Sequence, residues 1–136
     1  MEEKKDTVIT VTVDTEKINL SNINQCVVFT DNRDDPSQQP GDPENYVSTV
    51  DKNMKAIWEG VSENGTDSVQ ITNIDLKGND DPKILKDSHI SSTNGIVEAK
   101  IKDKYESGEE AYKLTFTINN SNTSYPVDPK LRMSTE

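Results

Sequence analysis

The sequence predicts an all-β protein, an antiparallel two-sheet β-sandwich of about seven to nine short strands. Side chains point to opposite faces along a strand, so a half-buried strand alternates apolar and polar residues. Residues 112–118 alternate in this way, with Tyr112, Leu114 and Phe116 on one face and lysine and threonine on the other. Turn-forming residues separate such runs, and no long stretch has the 3.6-residue period of a helix.

The size and composition predict one domain with a thin core. The chain has 136 residues, of which 30% are hydrophobic. This length accommodates a single core of ordinary size, and the apolar residues cluster in periodic runs rather than being dispersed as in a disordered chain. We expect one domain over residues 1–136, with a flexible N-terminus at 1–6 and a long loop at 31–45.

The charge balance excludes some partners. The formal net charge is −10, from 25 acidic and 15 basic residues. An acidic surface repels phosphate backbones and anionic lipid heads, which disfavours nucleic-acid and membrane partners. A protein partner of unknown identity is compatible with this charge, and the oligomeric state is left open.

Cysteine usage and the N-terminus indicate the compartment. The one cysteine, Cys26, can form no intrachain disulfide. It lies beside valines and phenylalanine, and we interpret it as a small buried hydrophobe. The charged N-terminus lacks the apolar core of a signal peptide, and no run is long enough to span a membrane. We therefore expect a soluble, cytoplasmic protein.

The first half of the chain carries five predicted strands. The apolar run within 25–30 suggests a central, well-covered strand. The Asn64-Gly65 turn after the strand containing Trp58 predicts that Trp58 and Val69 lie on neighbouring antiparallel strands. The predicted strands in this half are residues 7–13, 25–30, 46–50, 55–61 and 68–74.

The second half ends in a hairpin. Residues 96–102 alternate as a strand, and residues 112–118 and 125–127 flank a polar run, which predicts a hairpin with a solvated loop. Pro129 should break the ladder, after which residues 130–133 form an edge strand. This C-terminal strand and the 31–45 loop are the surfaces we expect a partner to contact.

The predicted core follows from the alternating positions. Trp58, the only tryptophan, is interpreted as its main aromatic because a buried indole removes so much apolar area from water. The predicted core residues are Ile9, Val11, Val13, Val28, Trp58, Val69, Ile71, Val97, Tyr112, Leu114, Phe116 and Ile118.

Two segments resemble a known class of proteins. Residues 52–58 with the following Asn-Gly turn, and residues 111–133, are similar to parts of small bacterial cupredoxin-like or immunoglobulin-like β-sandwich proteins. The resemblance implies the sandwich fold. Cupredoxins bind copper through two histidines and a cysteine, but this chain has one histidine, His89, and Cys26 lies in an early strand. No copper ligand is carried over.

The residues also disfavour catalysis. One histidine and one cysteine cannot complete a copper or zinc site within the chain. We interpret His89 as a solvated loop residue, and no phosphate loop or nucleophile motif is present. We therefore predict no enzyme activity, no catalytic residues and no cofactor.

Three functions remain. The favoured one is a non-catalytic protein-interaction or accessory module of a bacterial cell. A second is calcium binding, because hard cations take oxygen ligands from Asp-rich loops that converge at one end of a sandwich. A third is an acidic inhibitor that mimics nucleic acid, although interspersed basic residues make the field patchy. The candidate calcium ligands are Asp31, Asp34, Asp35, Asp80 and Asp81.

Overall fold

The computed structural model describes residues 4–33, 46–77 and 84–134. Over these residues nearly all of the regular secondary structure is β-strand, as the alternating patterns predict. One short helix, α1 (Ile23–Cys26), precedes the second strand. The strands are β1 (Thr7–Val13), β2 (Val27–Asp31), β3 (Val47–Val50), β4 (Lys55–Ser62), β5 (Val69–Leu76), β6 (His89–Ser91), β7 (Val97–Lys100), β8 (Glu109–Ile118), β9 (Tyr125–Val127) and β10 (Lys130–Met133).

The strands form two sheets that enclose the core. The first sheet has the order β2-β1-β4-β7, and the second has the order β3-β10-β8-β5-β6, with β9 paired to β8 beside this path. The predicted hairpin is confirmed, because β9 pairs antiparallel with residues 114–116 of β8. The ladder also breaks at Pro129, between β9 and β10.

The sheets are mixed, so the antiparallel part of the prediction is wrong. Strand β1 pairs parallel with β4, and β3 pairs parallel with β10. The members of each parallel pair are far apart in sequence, which gives the chain room to cross over and return in the same direction. A strand with one buried face alternates identically in either orientation, so the pattern could not distinguish the two.

Trp58 and Val69 lie in different sheets instead of on neighbouring strands. Strand β4 belongs to the first sheet and β5 to the second, so the Asn64-Gly65 turn joins the sheets rather than closing a hairpin. A Cβ atom on Gly60 would lie 2.5 Å from Val69 Cγ1. Glycine at this position therefore permits the close approach of the two sheets.

Two predicted strand positions are reversed. Strand β2, predicted to be central, is an edge of the first sheet, and its Val28 is 39% exposed. Strand β10, predicted to be an edge, lies between β3 and β8. The C-terminal strand therefore has no free edge to which a partner strand could be added. The 31–45 loop lies, beyond Arg33, outside the described residues.

The core confirms most of the predicted positions. Ten of the twelve predicted side chains are buried, and Trp58, Tyr112 and Phe116 have no exposed surface. Val28 is wrong, because alternation along β2 turns Val27 and Phe29 inward instead. Ile118 is partly buried and packs against the core. The buried hydrophobic residues that were not predicted include Phe29, Tyr46, Val50, Ile74, Ile84, Leu85, Ile101, Leu131 and Met133.

Strand β6 was not predicted, because a three-residue strand is too short to show alternation. It pairs with β5 and carries His89, which is exposed as expected but lies in a strand rather than a loop.

Within the described ranges, no helix has the length and apolar character needed to cross a bilayer.

Candidate interaction surface

The outer face of the first sheet carries a patch of β-branched side chains. Strand β1 reads Thr-Val-Ile-Thr-Val-Thr-Val, and its inward residues are fully buried while Val8, Thr10 and Thr12 face outward. Strands rich in β-branched residues pack well on a pleated surface, which explains why the segment forms a strand. Its outward residues are also β-branched, so both faces suit packing.

The strand register aligns these residues in three rows across the sheet. Thr12 pairs with Val28 on one side and with Val61 on the other. Val28 is 39% and Val61 42% exposed, so the apolar ends of this row reach solvent. We call the seven outward residues of β2, β1 and β4 that are β-branched the β-branched face: Val8, Thr10, Thr12, Val28, Thr30, Ile57 and Val61.

One acidic residue, Glu59, lies between members of the β-branched face, and further charges lie at the margin of this face. Glu59 stands opposite Thr10, and its Oε1 accepts a hydrogen bond of 3.3 Å from the threonine hydroxyl. At the margin, Lys55 and Glu98 form an ion pair of 2.7 Å. The hydrogen bond and charge of Glu98 raise the pKa of Lys55. The face is thus mostly uncharged in a protein whose net charge is −10.

A polar junction joins the two sheets beside β1 and β3. Arg33 forms an ion pair of 2.8 Å with Asp51, and these side chains are only 12% and 7% exposed. Arg33 also donates to Thr7 Oγ1, and Asp51 accepts from the Lys5 backbone nitrogen at 3.0 Å. Thr7 in turn donates to the carbonyl of Thr49 in β3. The junction therefore ties the start of β1 and the end of β2 to the edge of the second sheet.

Asp31 is the one candidate calcium ligand within the described residues. Its Oδ2 accepts hydrogen bonds from the Tyr46 hydroxyl at 2.5 Å and the Ser48 hydroxyl at 2.7 Å. Its Oδ1 accepts from the backbone nitrogen of Arg33. Both oxygens are therefore engaged by protein donors. Asp34, Asp35, Asp80 and Asp81 lie outside the described residues, and the calcium site stays a prediction.

A second polar cluster lies at the end of the sandwich where β4 connects to β5. Asp67 accepts hydrogen bonds from Asn119 Nδ2 at 3.0 Å, from the Thr15 hydroxyl at 2.6 Å and from Asn64 Nδ2 at 2.9 Å. These three hydrogen bonds favour the charged form and lower the pKa of Asp67 from 3.8 to about 2. The carboxylate thereby connects three loops.

Asp67→Asn is expected to reduce the loss of stability in acid. The Asp67 carboxylate takes up its proton at about pH 2 in the folded state and at about 3.8 when unfolded. Between these values the unfolded state binds more protons than the folded state. The stabilisation of the folded state by Asp67 is therefore present above pH 3.8 and is lost as the pH falls towards 2.

Thermal melting across this pH range, compared between the wild type and Asp67→Asn, measures the effect. The control is Asp87→Asn, because Asp87 is exposed and hydrogen-bonds to no described residue. Parallel melting profiles for wild type and Asp67→Asn would contradict the assignment.

His89 belongs to a hydrogen-bonded chain on the outer face of the second sheet. Its Nδ1 contacts Asp75 Oδ1, and its Nε2 lies 3.4 Å from the Ser91 hydroxyl. Asn73 Nδ2 donates to the other oxygen of Asp75. A hydroxyl, an imidazole and a carboxylate in this order occur in acyl-transfer sites. Here the His89 side chain is 59% exposed on an open sheet face that does not exclude water, so we assign it no catalytic role.

Two shallow grooves open on the described surface. One, of about 270 Å³, lies between the segment containing α1 and strand β9, and Leu20, Ile23 and Pro126 line it. The other, of about 300 Å³, is lined mainly by neutral polar residues, including Gln70 and Thr117. Neither is lined by His89 or Cys26. In the described ranges, no group of three or more His, Cys, Asp or Glu side chains is placed to hold a metal ion.

Cys26 is buried, as predicted, but it ends α1 instead of lying in the strand predicted over residues 25–30. Burial contributes most to raising the pKa of its thiol, and Asp14 adds to the effect. A thiol with a raised pKa is a poor nucleophile.

Comparisons with known proteins show the fold. No protein-family model matches the chain, and no curated protein matches it in sequence. Among solved structures, the inclusion body protein PixA from Burkholderia cenocepacia J2315 matches with a TM-score of 0.65 and 11% sequence identity. The likeness is one of fold. It covers 98% of both chains, so the resemblance extends over nearly the full length of each. The immunoglobulin-like or cupredoxin-like arrangement stays a prediction.

Proposed function

We propose that this chain is a non-catalytic protein-interaction module whose partner is a second copy of itself. The β-branched face is the contact surface. The observation that carries the proposal is the row formed by Val28, Thr12 and Val61, which exposes two valines on a sheet face with few charges. β-Branched faces of this kind pack against one another when two sheets stack.

The size of the face sets the strength of the contact. Three strands about 4.8 Å apart and three rows about 6.8 Å apart cover about 300 Å². A standard interface buries about 800 Å² on each partner, so a dimer formed through this face alone is weak. Such a contact becomes effective at high local concentration or when several contacts act together.

The structural neighbour supports the same reading. PixA, whose fold resembles this one along the whole chain, is an inclusion body protein. An inclusion body is a dense assembly in which each protein molecule contacts others. We propose that the present chain shares this tendency to assemble, which requires weak contacts repeated many times rather than one tight interface.

The net charge makes the proposed association sensitive to salt. Two copies that each carry a charge of −10 repel each other, and added salt screens this repulsion. Contacts through a face with few charges should therefore strengthen with increasing ionic strength. Contacts built from complementary charges would weaken.

Val61→Lys is expected to abolish self-association at concentrations where the wild type associates. The substitution places a charge at an apolar end of the row that both copies would contribute to the contact, so a two-fold dimer buries two lysines. Val61 is exposed, so the fold should tolerate the change. Sedimentation velocity over a concentration series, at low and moderate salt, measures the association.

The matched control is Thr115→Lys. Thr115 is an outward, β-branched residue of β8 on the opposite outer face of the sandwich, and this substitution changes the net charge by the same amount. The control should associate like the wild type. Equal association of Val61→Lys and the wild type would place the contact elsewhere, and a wild type that stays monomeric throughout would overturn the proposal.

A further inference from the structure

The chain contains two Asn-Gly sequences, and the structure places them in different chemical environments. Asn64-Gly65 lies between β4 and β5, and Asn94-Gly95 lies between β6 and β7. Both asparagines are exposed, so solvent access does not distinguish them. Their hydrogen bonds do.

Both the oxygen and the nitrogen of the Asn64 carboxamide make hydrogen bonds. Its Oδ1 accepts hydrogen bonds from the Ser62 hydroxyl and from the backbone nitrogens of Thr66 and Asp67, at 2.9 to 3.1 Å. Its Nδ2 donates to the Asp67 carboxylate at 2.9 Å. The following nitrogen, of Gly65, donates to the Ser62 carbonyl.

Asn94 has none of these restraints. Among the described residues, no group hydrogen-bonds to its carboxamide or to the backbone nitrogen of Gly95. The turn itself is closed by two backbone hydrogen bonds between Thr93 and Ile96, and both central residues have positive φ, 54° and 82°. The reacting groups are therefore free, although the turn around them is formed.

We propose that Asn94 is a site of spontaneous deamidation in the folded protein and that Asn64 is protected. Solvent removes the proton from the Gly95 nitrogen, which attacks Asn94 Cγ. The N–Cγ bond forms, the Cγ–Nδ2 bond breaks and ammonia leaves, giving a succinimide. Water then opens this ring to aspartate or isoaspartate. Asparagine is among the residues that are chemically labile in proteins.

Glycine after the asparagine is what gives the nitrogen access. Without a Cβ atom, Gly95 allows the backbone rotation that brings its nitrogen to Cγ. At Asn94 this rotation strains only backbone hydrogen bonds of the turn, those between Thr93 and Ile96 and the one that the Gly95 carbonyl accepts. At Asn64 it would break the hydrogen bond of the reacting Gly65 nitrogen and the four of the carboxamide itself. Each broken bond lowers the reactive population, so we expect deamidation at Asn94 to be about tenfold faster, or more, in the folded state.

The modification would change a defined surface. Gly95 lines the neutral groove of about 300 Å³, together with Gln70, Ser92 and Thr117. The carbonyl of Gly95 also accepts the backbone hydrogen bond of Ile71. A carboxylate at position 94 would therefore place negative charge beside the groove, and isoaspartate would lengthen the backbone of a turn that is hydrogen-bonded to β5.

The test compares both sites in one sample. The full chain is incubated in mildly alkaline buffer, digested at intervals and mapped by mass spectrometry with separation of isoaspartyl peptides. A second sample is incubated in urea, where both sites lose their structure and should react at similar rates. Asn94→Gln is the control that should abolish the signal at this position.

The expected result is early modification of Asn94 and slow modification of Asn64 in the folded protein, with the difference removed in urea. Equal rates at the two sites in the folded protein would overturn the proposal. So would an unmodified Asn94 in a folded sample whose urea-treated counterpart reacts. In either case the hydrogen bonds around the two carboxamides would not control the reaction.

Discussion

Trp58→Ala is expected to lower the free energy of unfolding by about 3–5 kcal/mol, which is a large part of the stability of a domain of this size. The indole has no exposed surface and packs edge to face against Tyr112, with ring centroids 5.4 Å apart. Alanine would leave a cavity between the sheets. Urea unfolding followed by far-UV circular dichroism measures the effect, and an unchanged midpoint would contradict the buried position.

A milder pair of variants separates packing from hydrogen bonding. Trp58 Nε1 donates a hydrogen bond of 2.9 Å to the Tyr112 hydroxyl, and burial raises the pKa of Tyr112, so the phenol stays neutral. Tyr112→Phe leaves the indole nitrogen buried without an acceptor, at a cost of about 1–3 kcal/mol. The double variant Tyr112→Phe with Trp58→Phe should lose less stability than the sum of the two single variants. Each single change already removes the one hydrogen bond that joins the two side chains.

Asp51→Ala is expected to cost about 2–4 kcal/mol, slightly below the loss for a fully buried ion pair because a little of each side chain reaches solvent. Removing the carboxylate leaves the Arg33 guanidinium charged and nearly buried, and it also frees the backbone nitrogen of Lys5. Because this junction joins β1 and β2 to β3, its loss should weaken the closure between the sheets. Urea unfolding at neutral pH measures the change.

Lys55→Ala is the matched control for this prediction. Lys55 forms an equally short ion pair with Glu98, but these side chains are 46% and 52% exposed. Exposed ion pairs are screened by water and contribute little, so the control should leave the urea midpoint nearly unchanged. Similar losses for Asp51→Ala and Lys55→Ala would show that burial does not distinguish the two pairs.

The proposed self-association and these stability effects rest on different faces of the same strands. The inward residues of β1 are buried in the core, whereas its outward residues contribute to the β-branched face. Substitutions such as Val61→Lys can therefore test association without opening the core. Trp58→Ala and Asp51→Ala lower the stability of the fold and are therefore unsuitable as tests of association.

Several features of the candidate surface could be read only in part from the sequence. The run Thr7–Val13 shows β-branched residues on both faces, which is a signal for a strand whose outer face can also pack. The sequence does not show that Val28 and Val61 lie in one row with Thr12. That row depends on β1 pairing with β2 on one side and β4 on the other.

The partners in the polar contacts could not be predicted from the sequence, for a similar reason. Arg33 and Asp51 are separated by a long, polar segment, and nothing in their local sequence selects them from the many charged residues. The sequence offers Asp31 as a calcium ligand, but in the structure its carboxylate accepts hydrogen bonds from the hydroxyls of Tyr46 and Ser48. Which donors meet a carboxylate depends on loops brought together from distant parts of the chain.

Alternation along a strand is a local property of the backbone, so the strand content, most strand positions, most buried faces and the burial of Trp58 can be predicted from the amino-acid order. Strand order, the two parallel pairings, the edge position of β2 and the internal position of β10 are visible only in the folded chain. Alternation specifies which side of a strand is buried, whereas the neighbours of that strand depend on contacts between residues far apart in the chain.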